Sequence, residues 1–127
     1  MVSVEIPDSV TKIEDYAFYR NELISVEIPD GVTTIGDGAF AVNQLTSIEI
    51  PDSVINIGVD AFRDNQLTSI VIPDSVAFIG ENAFEDNRLT SVVLADSTEI
   101  HPDAFDPEVE IIRRSIGSPI DLSLIHI

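Results

Sequence analysis

The sequence predicts a β-rich solenoid, in which a repeated unit winds into stacked coils with two short parallel strands and one helical turn each. The unit in residues 45–66, LTSIEIPDSVINIGVDAFRDNQ, recurs every 22 residues, and a fixed period of about 20 to 50 residues is typical of solenoids and other repeat arrays. The same residue types also return at the same places in each unit. These columns include Ser3, Ser25, Ser47, Ser69 and Ser91, then Phe18, Phe40, Phe62 and Phe84, and then Asn21, Asn43, Asn65 and Asn87.

The first half of each unit predicts a strand, a turn and a second strand. In residues 45–50, Ile48 and Ile50 alternate with polar residues, which is the period-two pattern of a half-buried strand. Pro51 ends this strand because proline donates no hydrogen bond, and Pro-Asp-Ser is a tight-turn sequence. A second extended segment, residues 54–57, ends at Gly58, where we expect a left-handed or crowded backbone.

The second half of each unit predicts one helical turn. Acidic and amide residues precede an Ala-Phe pair, and such residues suit a helix N-terminus. The Phe is expected to fill the widest part of the coil. The Asn three residues later is expected to satisfy backbone groups of the turn and the amide of its stacked neighbour, which would form a ladder through the array.

The repeat array is expected to cover residues 1–112, with a linker or tail in residues 113–127. Met1 falls at the place that Leu takes in later units, so we expect about five units from a longer array. The fifth unit drifts, because Phe105 follows Phe84 by 21 residues, and residues 109–111 are expected to form a last strand. Residues 122–127 fall outside the pattern and match a translated sequencing adapter, so our hypothesis is that the tail includes non-native sequence.

Composition excludes several classes of partner and chemistry. The chain has 23 acidic and 6 basic residues, and its formal charge of −17 repels phosphate backbones, so no nucleic-acid partner is predicted. No segment approaches the run of about 20 apolar residues that spans a bilayer, and no membrane insertion is predicted. The absence of Cys excludes disulfides, thiolate nucleophiles and Cys-type zinc sites.

No catalytic residue, cofactor or metal site is predicted. The two histidines, His101 and His126, lie in the drifting unit and the tail, and no Ser column is paired with a base. A calcium ladder is disfavoured, because the glycine-rich pattern of such sites is missing and Asp in a Pro-Asp-Ser turn caps its own backbone. The Asp column concerned consists of Asp8, Asp30, Asp52, Asp74 and Asp96.

The pattern L-T-S-I-x-I-P-x-S-V-x-x-I-G-x-x-A-F resembles the BspA-like class of bacterial leucine-rich repeats over about residues 1–105. The resemblance is specific because the Ile-Pro turn, the Ile-Gly step and the Ala-Phe pair recur together. The chain departs from common members by carrying Asn where they carry Cys, and by a slightly shorter unit. The resemblance implies a leucine-rich-repeat solenoid with a right-handed superhelix and, for many members, export to the bacterial surface and adhesion to other cells.

Stacking turns each repeat position into a column across the molecule, and one outward column changes character along the array. It can be a strip that attracts cations and runs into an apolar patch, or an ordinary solvated strand face. The column consists of Glu5, Glu27, Glu49, Val71 and Val93.

Positions that vary between units are the other candidates for partner binding. Repeat proteins place binding diversity at such positions, although drift without selection gives the same pattern, and Tyr and Arg are frequent interface hot spots. The candidate partner-binding residues are Tyr16, Tyr19, Arg20, Glu27, Glu49, Arg63, Val71 and Phe78.

The predicted function is a non-catalytic protein-binding or adhesion module of a bacterial secreted or cell-surface protein. Its partner would be a protein or a cell-surface ligand, and the extracellular or cell-surface location rests on the resemblance alone. The alternative is a structural spacer or stalk segment with no binding role. A binder should concentrate its variation on one face of the solenoid, whereas a spacer should scatter it.

Overall fold

Short parallel strands stack in register in residues 3–115, the part of the chain that the computed structural model describes. They form a parallel β-solenoid of about five coils, which confirms the predicted solenoid. Residues one unit apart lie opposite each other, as Ile35 does with Ile57. The strands are β1 (Ser3–Glu5), β2 (Lys12–Ile13), β3 (Ser25–Glu27), β4 (Thr34–Ile35), β5 (Asn56–Ile57), β6 (Phe78–Ile79), β7 (Ser91–Ala95), β8 (Glu99–Ile100) and β9 (Glu110–Arg114).

The two strand columns differ in continuity. We number the coils 1 to 5 as residues 1–22, 23–44, 45–66, 67–88 and 89–107. The second-strand column is one five-stranded sheet in the order β2-β4-β5-β6-β8, whereas the first-strand column is two separate pairs, β1-β3 and β7-β9. The strand predicted for residues 45–50 is therefore wrong: residues 45–50 form no strand, and Val71 in coil 4 makes only one bridge, to Val93. The continuous second-strand sheet connects coils 3 and 4 to their neighbours, so hydrogen bonds between first strands are not required there.

Aromatic rings form the centre of the core. Phe40, Phe62 and Phe84 are at most 1% exposed. The rings of the Phe column stack with centroids 5.1–5.4 Å apart and planes within 12° of parallel. Each buried Phe stabilises its coil by about 1.5–3 kcal/mol through apolar burial alone. The prediction that Phe fills the coil is confirmed.

The predicted helical turn is wrong. No helix is present in residues 3–115, and the segment consists of successive tight turns. Gly38 and Val42 have φ of 63° and 57°, values that a right-handed helix does not contain, and the same two places are left-handed in coils 1, 3 and 4. The Phe40 N–H donates to the Ala61 carbonyl of the next coil, 2.8 Å away, rather than along its own coil. The segment is therefore a third column of hydrogen bonds between coils.

Close approach between coils explains the glycine column. A Cβ on Gly58 would lie 2.4 Å from Asp37 Oδ1 and 2.8 Å from the Asp37 nitrogen, and a Cβ on Gly36 would meet Asp15 in the same way. Neither glycine has a positive φ. Of the two reasons expected for these glycines, crowding is therefore the correct one.

The asparagine ladder is confirmed in its contacts to the backbone. Asn65 Oδ1 accepts the Leu45 N–H at 3.0 Å, which ties the end of coil 3 to its beginning. Its Nδ2 donates to the carbonyls of Phe62 in the same coil and Phe40 in the previous coil, at 3.1 and 2.9 Å. Asn43 and Asn87 make the equivalent bonds. Each Asn therefore closes its own coil and fastens it to the one before.

The turns at the prolines form as predicted, but a different side chain supports them. The Val54 N–H donates to the Pro51 carbonyl at 3.1 Å, which closes a β-turn. The Ser53 hydroxyl donates to the Val32 carbonyl of the previous coil at 2.7 Å, and Ser75 and Thr98 make equivalent bonds. The expectation that Asp caps its own backbone is not met among the described residues, since the hydroxyl makes the side-chain bond.

Coil 5 is shorter than the others. Paired residues in its second strand and that of coil 4 are 21 positions apart in the sequence, as Ile79 and Ile100 are. Paired residues in β7 and β9 are only 19 positions apart, as Ser91 and Glu110 are. The last strand runs from Glu110 to Arg114 instead of covering residues 109–111. The extent of the array remains a prediction, and most of the predicted tail lies outside the described residues.

Candidate functional site

A groove runs along the outer face of the first-strand column from coil 1 to coil 4. It consists of three adjoining cavities of about 580, 480 and 620 Å³. Glu27 lines the first two cavities and Glu49 lines the last two, so the groove is continuous. The strands leave this face open because their serines and glutamates point outward while the alternate Val and Ile residues point into the core.

Carboxylates line most of the groove. Glu5 and Glu27 lie directly opposite each other in the β1–β3 ladder, and Glu49 continues the line in coil 3. All three are exposed. Like charges that face each other across strands are destabilising unless solvent, salt or a cationic group lies between them. This stretch of the groove therefore favours positively charged ligands.

The other end of the groove is apolar and is bordered by an arginine. Val71 takes the place of the glutamates in coil 4, and its side chain is 80% exposed. Arg114, from β9, also lines this cavity and forms an ion pair with Asp74 of coil 4. The Arg114 side chain is only 20% exposed. The ion pair connects residues 40 positions apart, a proximity for which the repeat pattern carries no signal.

Three of the predicted residues form a small cluster on the turn column of coil 1. The rings of Tyr16 and Tyr19 meet edge to face with centroids 5.7 Å apart, and the Arg20 guanidinium lies 5.5 Å from the centre of the Tyr19 ring. Tyr16 also lies against Gly38 of coil 2, where an added Cβ would be 2.4 Å from its ring. These contacts orient both rings while leaving Tyr16 59% and Tyr19 41% exposed.

Arg63 lies on the same turn column but is already paired with acidic side chains. Its guanidinium is 3.2 Å from Glu85, 3.5 Å from Asp60 and 3.9 Å from Asp86. Three carboxylates around one cation leave little free positive charge for a partner.

Phe78 lies on a third surface, the outer face of the five-stranded sheet. It is 41% exposed and pairs in register with Asn56 on one side and Glu99 on the other. Ile55, next to Asn56, is 46% exposed on coil 3. These two side chains are exposed apolar residues on an otherwise polar part of the solenoid.

The predicted partner-binding residues therefore occupy three separate surfaces. The groove brings together Glu27, Glu49 and Val71. The turn column carries Tyr16, Tyr19, Arg20 and Arg63, and the five-stranded sheet carries Phe78. Each assignment remains a prediction.

One group of side chains was missed in the sequence. Glu81, His101 and Asp103 lie together where coil 4 meets coil 5, and within residues 3–115 they form a set of three possible metal ligands. The only sequence signal was that His101 stands where units 2 to 4 have Gly.

Comparisons with known proteins agree with this architecture. Residues 1–111 match the BspA type leucine-rich repeat region in six copies. A leucine-rich repeat protein from Bacteroides ovatus ATCC 8483 has the same fold, with a TM-score of 0.63 and 24% identity over 90% of this chain. The chain spans 37% of the length of that protein. No curated protein matches the sequence.

Within the described residues, no helix is long and apolar enough to cross a membrane. The match to the repeat model extends from the first coil to β9 and includes the Phe, Asn and Gly columns that hold the coils together. This chain belongs to the BspA-type family of leucine-rich-repeat proteins.

Proposed function

We propose that this segment is a non-catalytic protein-binding module of the kind used in adhesion, and that the groove is its contact surface. The observation that supports the proposal best is the line of exposed carboxylates, Glu5, Glu27 and Glu49, which ends at the exposed Val71. A basic partner would relieve the repulsion along this line and gain electrostatic steering. The partner we propose is an extended protein segment that carries Lys or Arg side chains and an apolar side chain for Val71.

The family supports a location outside the cell. Proteins with repeats of this type are usually secreted or displayed on the surface of bacteria, and leucine-rich-repeat folds are typically non-enzymatic. We extend both properties to this chain as part of the proposal. The mechanism would be complementarity of shape and charge, without a chemical step.

A labelled peptide that alternates Lys and Thr and ends in Leu tests the groove. Fluorescence anisotropy should show saturable binding to the wild type that weakens as salt is added. The double substitution Glu27→Gln/Glu49→Gln should weaken binding at least about threefold, because each exposed ion pair contributes up to about 1 kcal/mol. Val71→Ser should weaken binding of this peptide but not of a version without Leu.

A matched control separates the groove from net charge. Glu22→Gln/Asp64→Asn removes the same two charges from exposed residues outside the groove lining. This variant should bind the peptide nearly as well as the wild type. If both double variants lose the same affinity, the binding reflects the charge of −17 alone and the groove is not the site.

The second candidate function is a structural spacer. The observation that favours it is that the variable residues lie on three surfaces instead of one, which is the scatter expected for a segment without a binding face. A spacer predicts no saturable binding of the peptide. It also predicts that Glu27→Gln/Glu49→Gln changes only stability, upward by a few tenths of a kcal/mol through relief of like-charge repulsion.

A further inference from the structure

The cluster of Glu81, His101 and Asp103 lies away from the groove, at the junction of coils 4 and 5. Each residue offers one ligand atom, and the three atoms lie within 4.8 Å of one another. Glu81 and Asp103 are exposed and His101 is half-buried, so a solvent ion can reach the cluster. Side-chain rotations would place the three ligand atoms around one central ion, at the zinc–ligand distances of about 2.0–2.2 Å that His and carboxylate ligands adopt.

The shortened coil places the imidazole in this cluster. Ile79 pairs with Ile100, so His101 falls opposite Gly80, in the column that is glycine in coils 2 to 4. That column lies beside the column of Asp15, Asp37, Val59 and Glu81, because an added Cβ on Gly36 would touch Asp15 and one on Gly80 would touch Val59. The residue of this column that faces the glycine place of coil 5 is Glu81, so the His101 side chain lies next to a carboxylate.

Glu81 lacks the backbone donor that occupies the equivalent carboxylates. Asp15 Oδ1 accepts the Asp37 N–H at 2.8 Å, and Asp37 Oδ1 accepts the Val59 N–H at 2.9 Å. The residue at this place in coil 5 is Pro102, which has no N–H. The Glu81 carboxylate is therefore not engaged in this ladder, and within residues 3–115 it makes no hydrogen bond or ion pair.

Asp103 holds the histidine ring in place. Its backbone N–H donates to His101 Nδ1 at 3.0 Å, so the proton of the neutral imidazole is on Nε2. A metal ion at Nδ1 would replace this hydrogen bond, and the Asp103 carboxylate would follow as a second ligand from the same turn.

We propose that Glu81, His101 and Asp103 bind one divalent transition-metal ion, for which Zn²⁺ is the probe. One imidazole nitrogen with two carboxylates suits zinc, whereas calcium requires six to eight oxygen ligands. The ion would cross-link coil 4 to coil 5, where the asparagine ladder is missing. The negative charge of the chain raises the local concentration of divalent cations.

Titration of the 127-residue chain with Zn²⁺, followed by calorimetry and by the imidazole resonances in NMR, tests the site. We expect one ion per chain at saturation, with a shift of the His101 resonances that is complete at one equivalent. Zn²⁺ should also raise the Tm, because an ion that binds the folded chain stabilises it. His101→Asn should weaken binding at least tenfold and abolish the rise in Tm, while its amide oxygen can still accept the Asp103 N–H.

Two controls make the test decisive. His126→Asn removes the other histidine and should leave Zn²⁺ binding unchanged, and Ca²⁺ should not shift the His101 resonances. The proposal is overturned if His101→Asn binds Zn²⁺ as tightly as the wild type, or if His126→Asn causes the loss. It is also overturned if Zn²⁺ binds at many weak sites without saturation at one, since that result indicates only the acidic surface.

Discussion

Coil 3 and coil 5 occupy equivalent places in one stack, but different contacts hold them. In coil 3, Asn65 ties the coil to its neighbour through buried backbone groups, and Gly58 lets the chains approach closely. Coil 5 has neither residue: the turn after Phe105 contains no Asn, and His101 stands in the glycine column. A regular coil therefore depends on a few residue types, each with a geometric reason.

Coil 5 meets the same backbone requirements with side chains that the repeat does not contain. Asp106 Oδ1 accepts the Asp86 N–H at 3.1 Å, a bond that a backbone carbonyl accepts one coil earlier. Arg113, on β9, donates to the carbonyls of Ala95 and Thr98 across the shortened turn. The comparison shows that the array tolerates a change of length when new side chains reach the carbonyls and N–H groups that the lost residues served.

The largest expected difference between the two regions concerns the aromatic stack. Phe62 is fully buried between two rings, with centroids 5.4 and 5.3 Å away, whereas Phe105 is 7% exposed and stacks on Phe84 alone among the described rings. Phe62→Ala should lower the free energy of unfolding by about 3–5 kcal/mol. Phe105→Ala should lower it by less, as measured by urea unfolding followed by circular dichroism. Equal losses would mean that the end coil is packed as tightly as the middle.

The next largest effect is expected at the asparagine ladder. Asn65→Ala leaves the Leu45 N–H and the carbonyls of Phe40 and Phe62 without their partner. Each unpaired group costs about 1–3 kcal/mol, and water in the vacated space satisfies some of them, so we expect a loss of about 2–3 kcal/mol. Glu108→Ala, at the place three residues after Phe105, should change the free energy of unfolding by less than about 0.5 kcal/mol because Glu108 is exposed. A comparable loss from both variants would contradict the special role of the ladder.

Two glycine substitutions, one inside the glycine column and one in the Pro-Asp-Gly turn of coil 2, should change stability in opposite directions. Gly58→Ala would place a Cβ 2.8 Å from the Asp37 backbone nitrogen, and the forced shift should cost about 1–3 kcal/mol. Gly31→Ala meets only ordinary contacts at 3.6 and 3.7 Å, without a positive φ, and should stabilise the chain by about 0.4–1 kcal/mol through the unfolded state. Thermal unfolding of the two variants measures both signs. A tolerated Gly58→Ala would show that the coils can move apart.

Much of the fold was predictable because its causes repeat. The Phe, Asn and Gly columns act locally and identically in each coil, so their spacing predicts the stack, the core and the ladder. The helical turn was the wrong interpretation, although a signal was present. Gly38, Asp60 and Asn82 stand at one left-handed place in successive coils, and these are residue types that tolerate positive φ. A repeated Gly, Asp or Asn at one place should have indicated turns instead.

The candidate site was less predictable because its features depend on single events. Arg114 reaches Asp74, and His101 reaches Glu81, only because coil 5 is shortened, and spacing alone does not say where the deletion shifts the register. The missing strand at residues 45–50 has no sequence signal, since SIEI there is nearly the same as the SVEI that contains β3. The columns that line the groove were predictable, but their continuity with the cavity at Val71 depends on the three-dimensional path of β9, which brings Arg114 to that cavity.

The smallest expected effect concerns the ion pair between Arg114 and Asp74, which joins β9 to coil 4 at the end of the groove. The two side chains are 20% and 39% exposed, so solvent screens the pair, and a double-mutant cycle with Arg114→Gln and Asp74→Asn should give a coupling of about 0.5–1 kcal/mol. The coupling should fall in 1 M salt, where the Debye length is about 3 Å. Asp52 is exposed and occupies the place of Asp74 one coil earlier. Asp52→Asn should have little effect and serves as the control. A coupling of zero would mean that β9 is held only by its ladder with β7 and by the hydrogen bonds from Arg113 to carbonyls. Arg114 would then be free to contact a ligand in the groove.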